Sequence, residues 1–262
     1  MSYIISFHAF RGGTGKTNIS ANVAALMAAK GYRVGLIDAD LQSPGQYVLF
    51  DIPAEEIDKT LNSYLDEQLT ITDIAYDITG QLGIKIEGQL FLVSPALTPA
   101  AITKTSHDRF DHHHLISGFD ELIDELELDL LIIDSHPGLN EDMLLSMAIS
   151  NAMVITMRAD QQDYQGTHMV VDVAAKLQIP YVSIVANQVP ANLDLDQLKA
   201  DVENEFQLKV DQALYHTNDL LHLASSGIFA LQFPRHRLSE QFLELVDRLE
   251  KPLLELRSQP HS

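Results

Sequence analysis

The chain has 262 residues, 46% of them hydrophobic and 21% charged, the composition of an ordinary soluble globule long enough for a large α/β sheet. It contains no cysteine, which excludes disulfides, thiolate metal sites, iron–sulfur clusters and a thiol nucleophile. Its 17 Lys+Arg against 37 Asp+Glu leave a net charge of -20, a surface that repels phosphate backbones and anionic lipid and disfavours direct DNA binding.

In chain order, Tyr3–Phe7 is the first continuous apolar run and reads as a buried strand. The N-terminus enters it with neither a basic stretch nor a cleavage signal, and no apolar run reaches the roughly 18–20 residues that span a bilayer. The expectation is a cytoplasmic protein. A glycine-rich turn follows, then an alanine-rich helix over Thr17–Ala29 and a strand over Val34–Asp38. The region from Gly45 to Asp111 is less regular, with short helices expected at Ala54–Leu65 and Ile71–Asp77 and a strand at Leu90–Val93. Beyond it come helix Phe119–Leu126, strand Leu130–Asp134, helix Asp142–Ile149, strand Met153–Met157, helix Thr167–Leu177, strand Tyr181–Ala186 and helix Asp194–Phe206. A last helix, Ser239 to Arg257, carries Phe242, Leu243, Val246, Leu249 and Leu253 at helical spacing, and Pro252 is expected to bend or divide it. Alternation of continuously apolar strands with helices predicts a doubly wound α/β fold: a mostly parallel sheet with helices on both faces. The reading is one domain over residues 1–262, with an irregular insertion at about 45–111.

The chemistry begins in the first turn. Arg11-Gly12-Gly13-Thr14-Gly15-Lys16-Thr17 lies between a strand and a helix, the setting in which backbone N–H groups converge on an anion and the helix start adds its positive end. Lys16 would reach the β- and γ-phosphates of a nucleotide, and the Thr17 hydroxyl would hold Mg²⁺. Two strand tips supply carboxylates beside this cradle. Asp134 ends an apolar strand and is the candidate for the metal; of Asp38 and Asp40, one would support the metal and the other would position or activate the attacking water.

These motifs resemble the ParA/MinD family of P-loop ATPases with a deviant Walker A motif. The resemblance rests on Arg11 to Thr17 with Asn22 in the helix, on Asp38-Ala39-Asp40-Leu41-Gln42, and on a Walker B stretch from Ile132 to Gly138. Ala224 to Ile228 with Phe233-Pro234, and Asn187-Gln188-Val189-Pro190, add to it. The resemblance implies a P-loop NTPase fold of the SIMIBI, MinD-like kind, ATP/ADP and Mg²⁺ as cofactors, slow and partner-stimulated hydrolysis, and a homodimer with two ATP molecules sandwiched between its subunits. It places Gly12, Gly13, Thr14, Gly15, Lys16, Thr17, Asn18, Asn187 and Pro234 at the nucleotide, Thr17, Asp38 and Asp134 at the metal, and Lys16, Asp40 and Arg11 in catalysis. Asp40 matches the residue that activates water. Such a switch would position or regulate a cargo through protein partners that the sequence does not name.

The sequence departs from the family at several points. Arg11 stands where the family has Lys; it would cross the dimer interface as an arginine finger does, or contact its own nucleotide or solvent. Phe10 replaces a glycine, Asn18 follows Thr17 in place of Thr or Ser, and His136 follows the Walker B carboxylate, either to orient phosphate or as a packed loop residue. The run His112-His113-His114, near His107, Asp108 and Asp111, has no metal-ligand spacing and reads as a solvated or partner-facing loop. The last helix is too acidic for a membrane-targeting helix and reads as packed on the sheet. Two other functions stay open: a nucleotide-binding interaction module with little turnover, and a P-loop metabolic synthetase.

Overall fold

The computed structural model describes residues 2–98 and 112–258. Among the described residues eight strands form one sheet: β1 (Tyr3–His8), β2 (Arg33–Asp38), β3 (Ala75–Asp77), β4 (Gln89–Val93), β5 (Leu130–Asp134), β6 (Ala152–Arg158), β7 (Tyr181–Val189) and β8 (Lys209–Tyr215). Their order is β3-β4-β2-β5-β1-β6-β7-β8, parallel throughout except for β3 against β4. Both faces are covered. Helices Lys16–Ala29 and Arg237–Ser258 pack their apolar sides on one face, over Ile5, Phe7, Leu36, Ile132 and Val154. On the other, helix His112–Glu125 covers Ile37, Leu131 and Ile133, while Glu141–Ala148, Gln161–Leu177 and Leu195–Phe206 cover Met153, Ile155 and Ile184. This is the doubly wound sheet expected from the apolar runs. Its central strands are buried on both sides, which is why their sequences are apolar without alternation.

Several expected elements differ. Ala54–Leu65 is not one helix: a 3₁₀ turn at Ala54–Glu56 ends at Ile57, and Thr60, in extended conformation, caps a separate helix Leu61–Leu65 through Ser63 N–H. Ile71–Asp77 is not a helix either. Thr70 and Asp73 bond reciprocally to close a turn, and Ala75–Asp77 then pairs antiparallel with β4, so tertiary pairing overrides the helical spacing of Ile71, Ile74 and Ile78. Helix His112–Glu125 starts well before Phe119, so the histidine run is helical rather than a loop, and His114 stacks on Tyr64 with ring centroids 4.3 Å apart. His107, Asp108 and Asp111 lie outside the described residues. Among the described residues no group of three His, Cys, Asp or Glu could hold a metal ion. Helix Arg237–Ser258 runs through Pro252 undivided, with Leu238, Phe242, Val246, Leu249 and Leu253 buried in the core. Among the described residues no helix is long and apolar enough to cross a membrane.

Strand β8 escapes a search for apolar runs because Asp211 and Gln212 interrupt it, yet both are buried. Side chains bond the backbone of this edge strand. Glu203 accepts from Val210 N–H (2.9 Å) and Gln212 from Ala213 N–H (3.0 Å). Gln241 accepts from Tyr215 N–H (3.3 Å) and donates to the Ala213 carbonyl (2.7 Å), while Arg248 donates to the carbonyls of Val210 (3.2 Å) and Asp211. At the opposite edge β3 is three residues long.

Candidate functional site

The site lies beyond the carboxyl ends of β1, β2 and β5, where parallel register sets Phe7 and Asp38 on either side of Asp134. Residues 9–15 leave β1 and enter helix Lys16–Ala29. Gly13 (φ 80°) and Gly15 (φ 87°) take left-handed backbone there, which a side chain would strain. Gly15 has a second constraint: a Cβ on it would fall 2.3 Å from Asn187 Nδ2. That amide donates to the Thr14 carbonyl (2.7 Å), and Gln188 Nε2 donates to the Gly13 carbonyl (2.9 Å). The end of β7 therefore pins two loop carbonyls. The helix start has no side-chain cap and no acidic residue in its first turn, so its N–H groups are open to an anion.

Phe10 is accommodated by helix Gln161–Leu177. A Cβ at Gly166 would lie 2.0 Å from the Phe10 ring, so glycine here makes room for the aromatic group that the loop formula lacks. Asn22 bonds the Asn18 carbonyl through Nδ2 (2.8 Å) and takes the Ala230 N–H on Oδ1 (2.9 Å), tying the loop helix to the segment that leads to Pro234. Pro234 itself is exposed.

Charge is concentrated behind the loop. Lys16, with its side chain 7% exposed, forms an ion pair with Oδ1 of the fully buried Asp134. The other Asp134 oxygen accepts from Gln46 Nε2 at 2.8 Å. Asp38 Oδ2 accepts from the N–H groups of Gly45 (2.9 Å) and Gln46 (3.0 Å), and its Oδ1 from Asp40 N–H (3.2 Å). Burial, then the neighbouring Asp134, push the Asp38 carboxyl up to about 7 against the opposing pull of those N–H groups and Lys16. A buried pair of carboxylates with one lysine is short of positive charge, which a divalent cation would supply. Loop, lysine, Thr17 and paired carboxylates thus fit a nucleoside phosphate with Mg²⁺: the loop N–H groups and Lys16 would hold phosphate oxygens, and Thr17, Asp38 and Asp134 the cation.

Asp38 makes a pH prediction. Its folded value lies above its ordinary 3.8, so the folded chain holds this proton more tightly than the unfolded one. The resulting stabilisation is complete below about pH 4 and disappears as pH rises through about 7. With chelator present and no nucleotide, Asp38→Asn should therefore melt higher than the parent at pH 8, and the gap should close toward pH 4. Melting curves across that range check it; a gap independent of pH would contradict it.

At the mouth of the site, Asp40 Oδ1 accepts from Ser43 N–H (2.9 Å) and Gln42 N–H (3.3 Å) and lies 3.8 Å from His136 Nε2. His136 Nδ1 faces its neighbour's carbonyl, Pro137 O, at 2.6 Å; a carbonyl only accepts, so Nδ1 carries a proton. Arg11 is exposed and held by its own chain, bonded to Gln162 and 3.9 Å from Asp163 Oδ1. Sequence reasoning overlooked Gln46, Gln162 and Asp163, none of which lies in a motif. It also overlooked His8, which burial and then Lys16 depress to about 3, so it is neutral and donates from Nδ1 to Ser135 Oγ (2.7 Å) just before the loop.

A phosphate loop after the first strand of a parallel sheet, a buried Lys–Asp pair and a second strand-tip carboxylate define a P-loop nucleotide-binding protein. A family model described as an AAA domain, AAA_31, matches residues 2–183, and the chain belongs to that family. Its fold is that of the MinD and ParA P-loop ATPases. The cell division ATPase MinD of Pyrococcus furiosus superposes with a TM-score of 0.79 at 20% identity, covering 96% of this chain and 99% of that one. The septum site-determining protein MinD of Pyrococcus horikoshii, complexed with Mg-ADP, gives 0.77 at 17% identity over 99% and 100% of the two chains. By sequence, the chain is 26% identical over 197 residues to an iron-sulfur cluster carrier protein of Pyrococcus furiosus, covering 71% of this chain and 61% of that protein. The match thus spans about three-fifths of that relative's length.

Proposed function

We propose that this chain is an ATPase switch: it binds Mg²⁺·ATP, pairs face to face with a second copy around two nucleotides, and separates after slow hydrolysis. The observation that carries the reading is the uncapped helix start after the glycine-rich loop, with Lys16 buried against Asp134 beside Asp38. Lys16 and Asp40 act at the phosphates and the water, and Asn187 and Pro234 border the nucleoside. Thr17 with Asp38 and Asp134 takes the cation, which supplies charge neutralisation at the phosphates. Asn18, in the first turn of the helix, lies beside the phosphates. Arg11 is stowed on Gln162 and Asp163 in the free chain and acts across the interface when released. The whole chain, residues 1–262, works as one unit, through protein partners and in the cytoplasm. The MinD of Aquifex aeolicus has a solved complex with MinC, which supports a switch read out by another protein. Carriage of an iron–sulfur cluster, named for sequence relatives, is not part of this reading, because the chain has no cysteine to supply thiolates.

Solution mass by light scattering tests it: without nucleotide, with Mg²⁺·ADP and with Mg²⁺·ATP. Mass should double with ATP alone, and Arg11→Ala should abolish the doubling. Equal mass in all three states would overturn the switch and leave a nucleotide-binding module. Doubling that survives Arg11→Ala would return Arg11 to an ordinary loop contact.

A further inference from the structure

Gln46 begins a four-residue helix, is fully buried, and touches both strand-tip carboxylates. Its backbone N–H donates to Asp38 Oδ2 (3.0 Å) and its side-chain Nε2 to Asp134 Oδ2 (2.8 Å). Nε2 also faces Ser20 Oγ (2.8 Å) and the Thr17 carbonyl (3.4 Å). Chemistry dictates which way this amide points. A carboxylate and a carbonyl only accept, and Ser20 gives its own proton to the Thr17 carbonyl (3.0 Å), so all three neighbours require the NH₂ end. The other end, Oε1, is buried with no hydrogen-bond partner. An amide oxygen left this way costs free energy until a donor arrives. The backbone N–H and the amide nitrogen of the same residue already meet the acceptors Asp38 and Asp134, and Lys16 is paired with Asp134, so no protein donor is bonded to Oε1. The donor that suits such a wall is the hydration shell of a divalent cation, since Mg²⁺ keeps several of its waters.

We propose that Gln46 is the positioning residue of the cation half of the site: its N–H groups hold Asp38 and Asp134 side by side, and its Oε1 accepts from a water carried by Mg²⁺. The proposal rests on the nucleotide-site reading above. It differs from a mere filling role in one measurable way. A residue that only fills space supports nucleotide binding equally with and without the cation, whereas the loss of this one is felt at the nucleotide only when Mg²⁺ is present.

The test is the affinity of the full chain for a fluorescent methylanthraniloyl-ATP, titrated in Mg²⁺ and again in EDTA. The quantity read is the Mg²⁺ enhancement, the ratio of the two dissociation constants. In Gln46→Met the EDTA affinity should stay within about twofold, while the enhancement falls by about tenfold or more, as loss of an outer-shell partner does. Equal loss in both buffers, or an unchanged enhancement, overturns the role of Gln46 while leaving the site reading intact. If the parent chain binds no nucleotide, or binds it without Mg²⁺ enhancement, the site reading falls and this proposal with it. Should Gln46→Met fail to fold, Gln46→Asn keeps the amide but shortens its reach; the same loss of enhancement is expected, and full retention overturns the proposal.

Discussion

Replacing Lys16 by alanine is expected to do two separable things: weaken ATP binding by about 100-fold and destabilise the chain that holds no nucleotide. The first follows from losing charge-assisted hydrogen bonds to phosphate, worth about 3 kcal/mol. The second follows from what Lys16 does before any nucleotide arrives. It lies buried on Asp134, whose other oxygen is taken by Gln46, so its removal strands a carboxylate with no positive partner. Breaking a buried ion pair from one side costs about 3–5 kcal/mol. The double variant Lys16→Met/Asp134→Asn removes both members of the pair, leaving Asp38 as the one carboxylate of the site's buried pair and without the repulsion of Asp134, and most of the stability should return while ATP binding stays lost. Denaturant titration of the three proteins, beside ATP titration, resolves the two roles. Parent-like stability in Lys16→Ala would mean that the Lys–Asp pair contributes nothing to the free chain.

Asp40→Ala should lower turnover by about 100-fold or more, the size of a general-base contribution, with Mg²⁺·ATP affinity unchanged within about twofold. The geometry separates this residue from Asp38. Asp38 is buried, and backbone N–H groups bond both of its oxygens, so it is held for a fixed task. Asp40 sits at the mouth with its side chain 14% exposed, and its bonds come from two successive turn N–H groups. A carboxylate placed there is open to bulk water, whereas Asp38 is enclosed. Single-turnover rates with saturating Mg²⁺·ATP are the measurement. If Asp40→Ala hydrolyses at the parent rate, water activation belongs elsewhere or the parent scarcely turns over.

The parts of the site legible in the sequence are those whose chemistry is local. A phosphate loop needs its glycines, lysine and threonine in one stretch, so Gly12 to Thr17 announce themselves, and a carboxylate at the tip of an apolar run marks Asp38 and Asp134. Gln46 gives no such sign, because its meaning comes from strands β2 and β5 being neighbours, which adjacency in the chain does not encode. Gln162 and Asp163 are silent for the same reason. In the fold, continuous apolarity marked the central strands but failed at the rim. Strand β8 carries buried Asp211 and Gln212 because edge backbone and helix side chains surround it, and β3 has too few residues to show any period. Ile71, Ile74 and Ile78 have helical spacing, but the short strand Ala75–Asp77 divides them, so Ile71 and Ile74 join the core on one face of the sheet and Ile78 the core on the other.

The side-chain bonding along β8 bears on how copies of this chain can meet. A neighbour that sought to continue the sheet would have to displace Gln241, Arg248 and Glu203 from bonds they already make, and at the far rim it would find a three-residue strand to grip. Among the described residues, neither rim therefore offers a long free edge to another copy's strand. In the face-to-face pairing proposed above, contact would fall instead to the loops at the strand tips, a surface that the contents of the site can remodel.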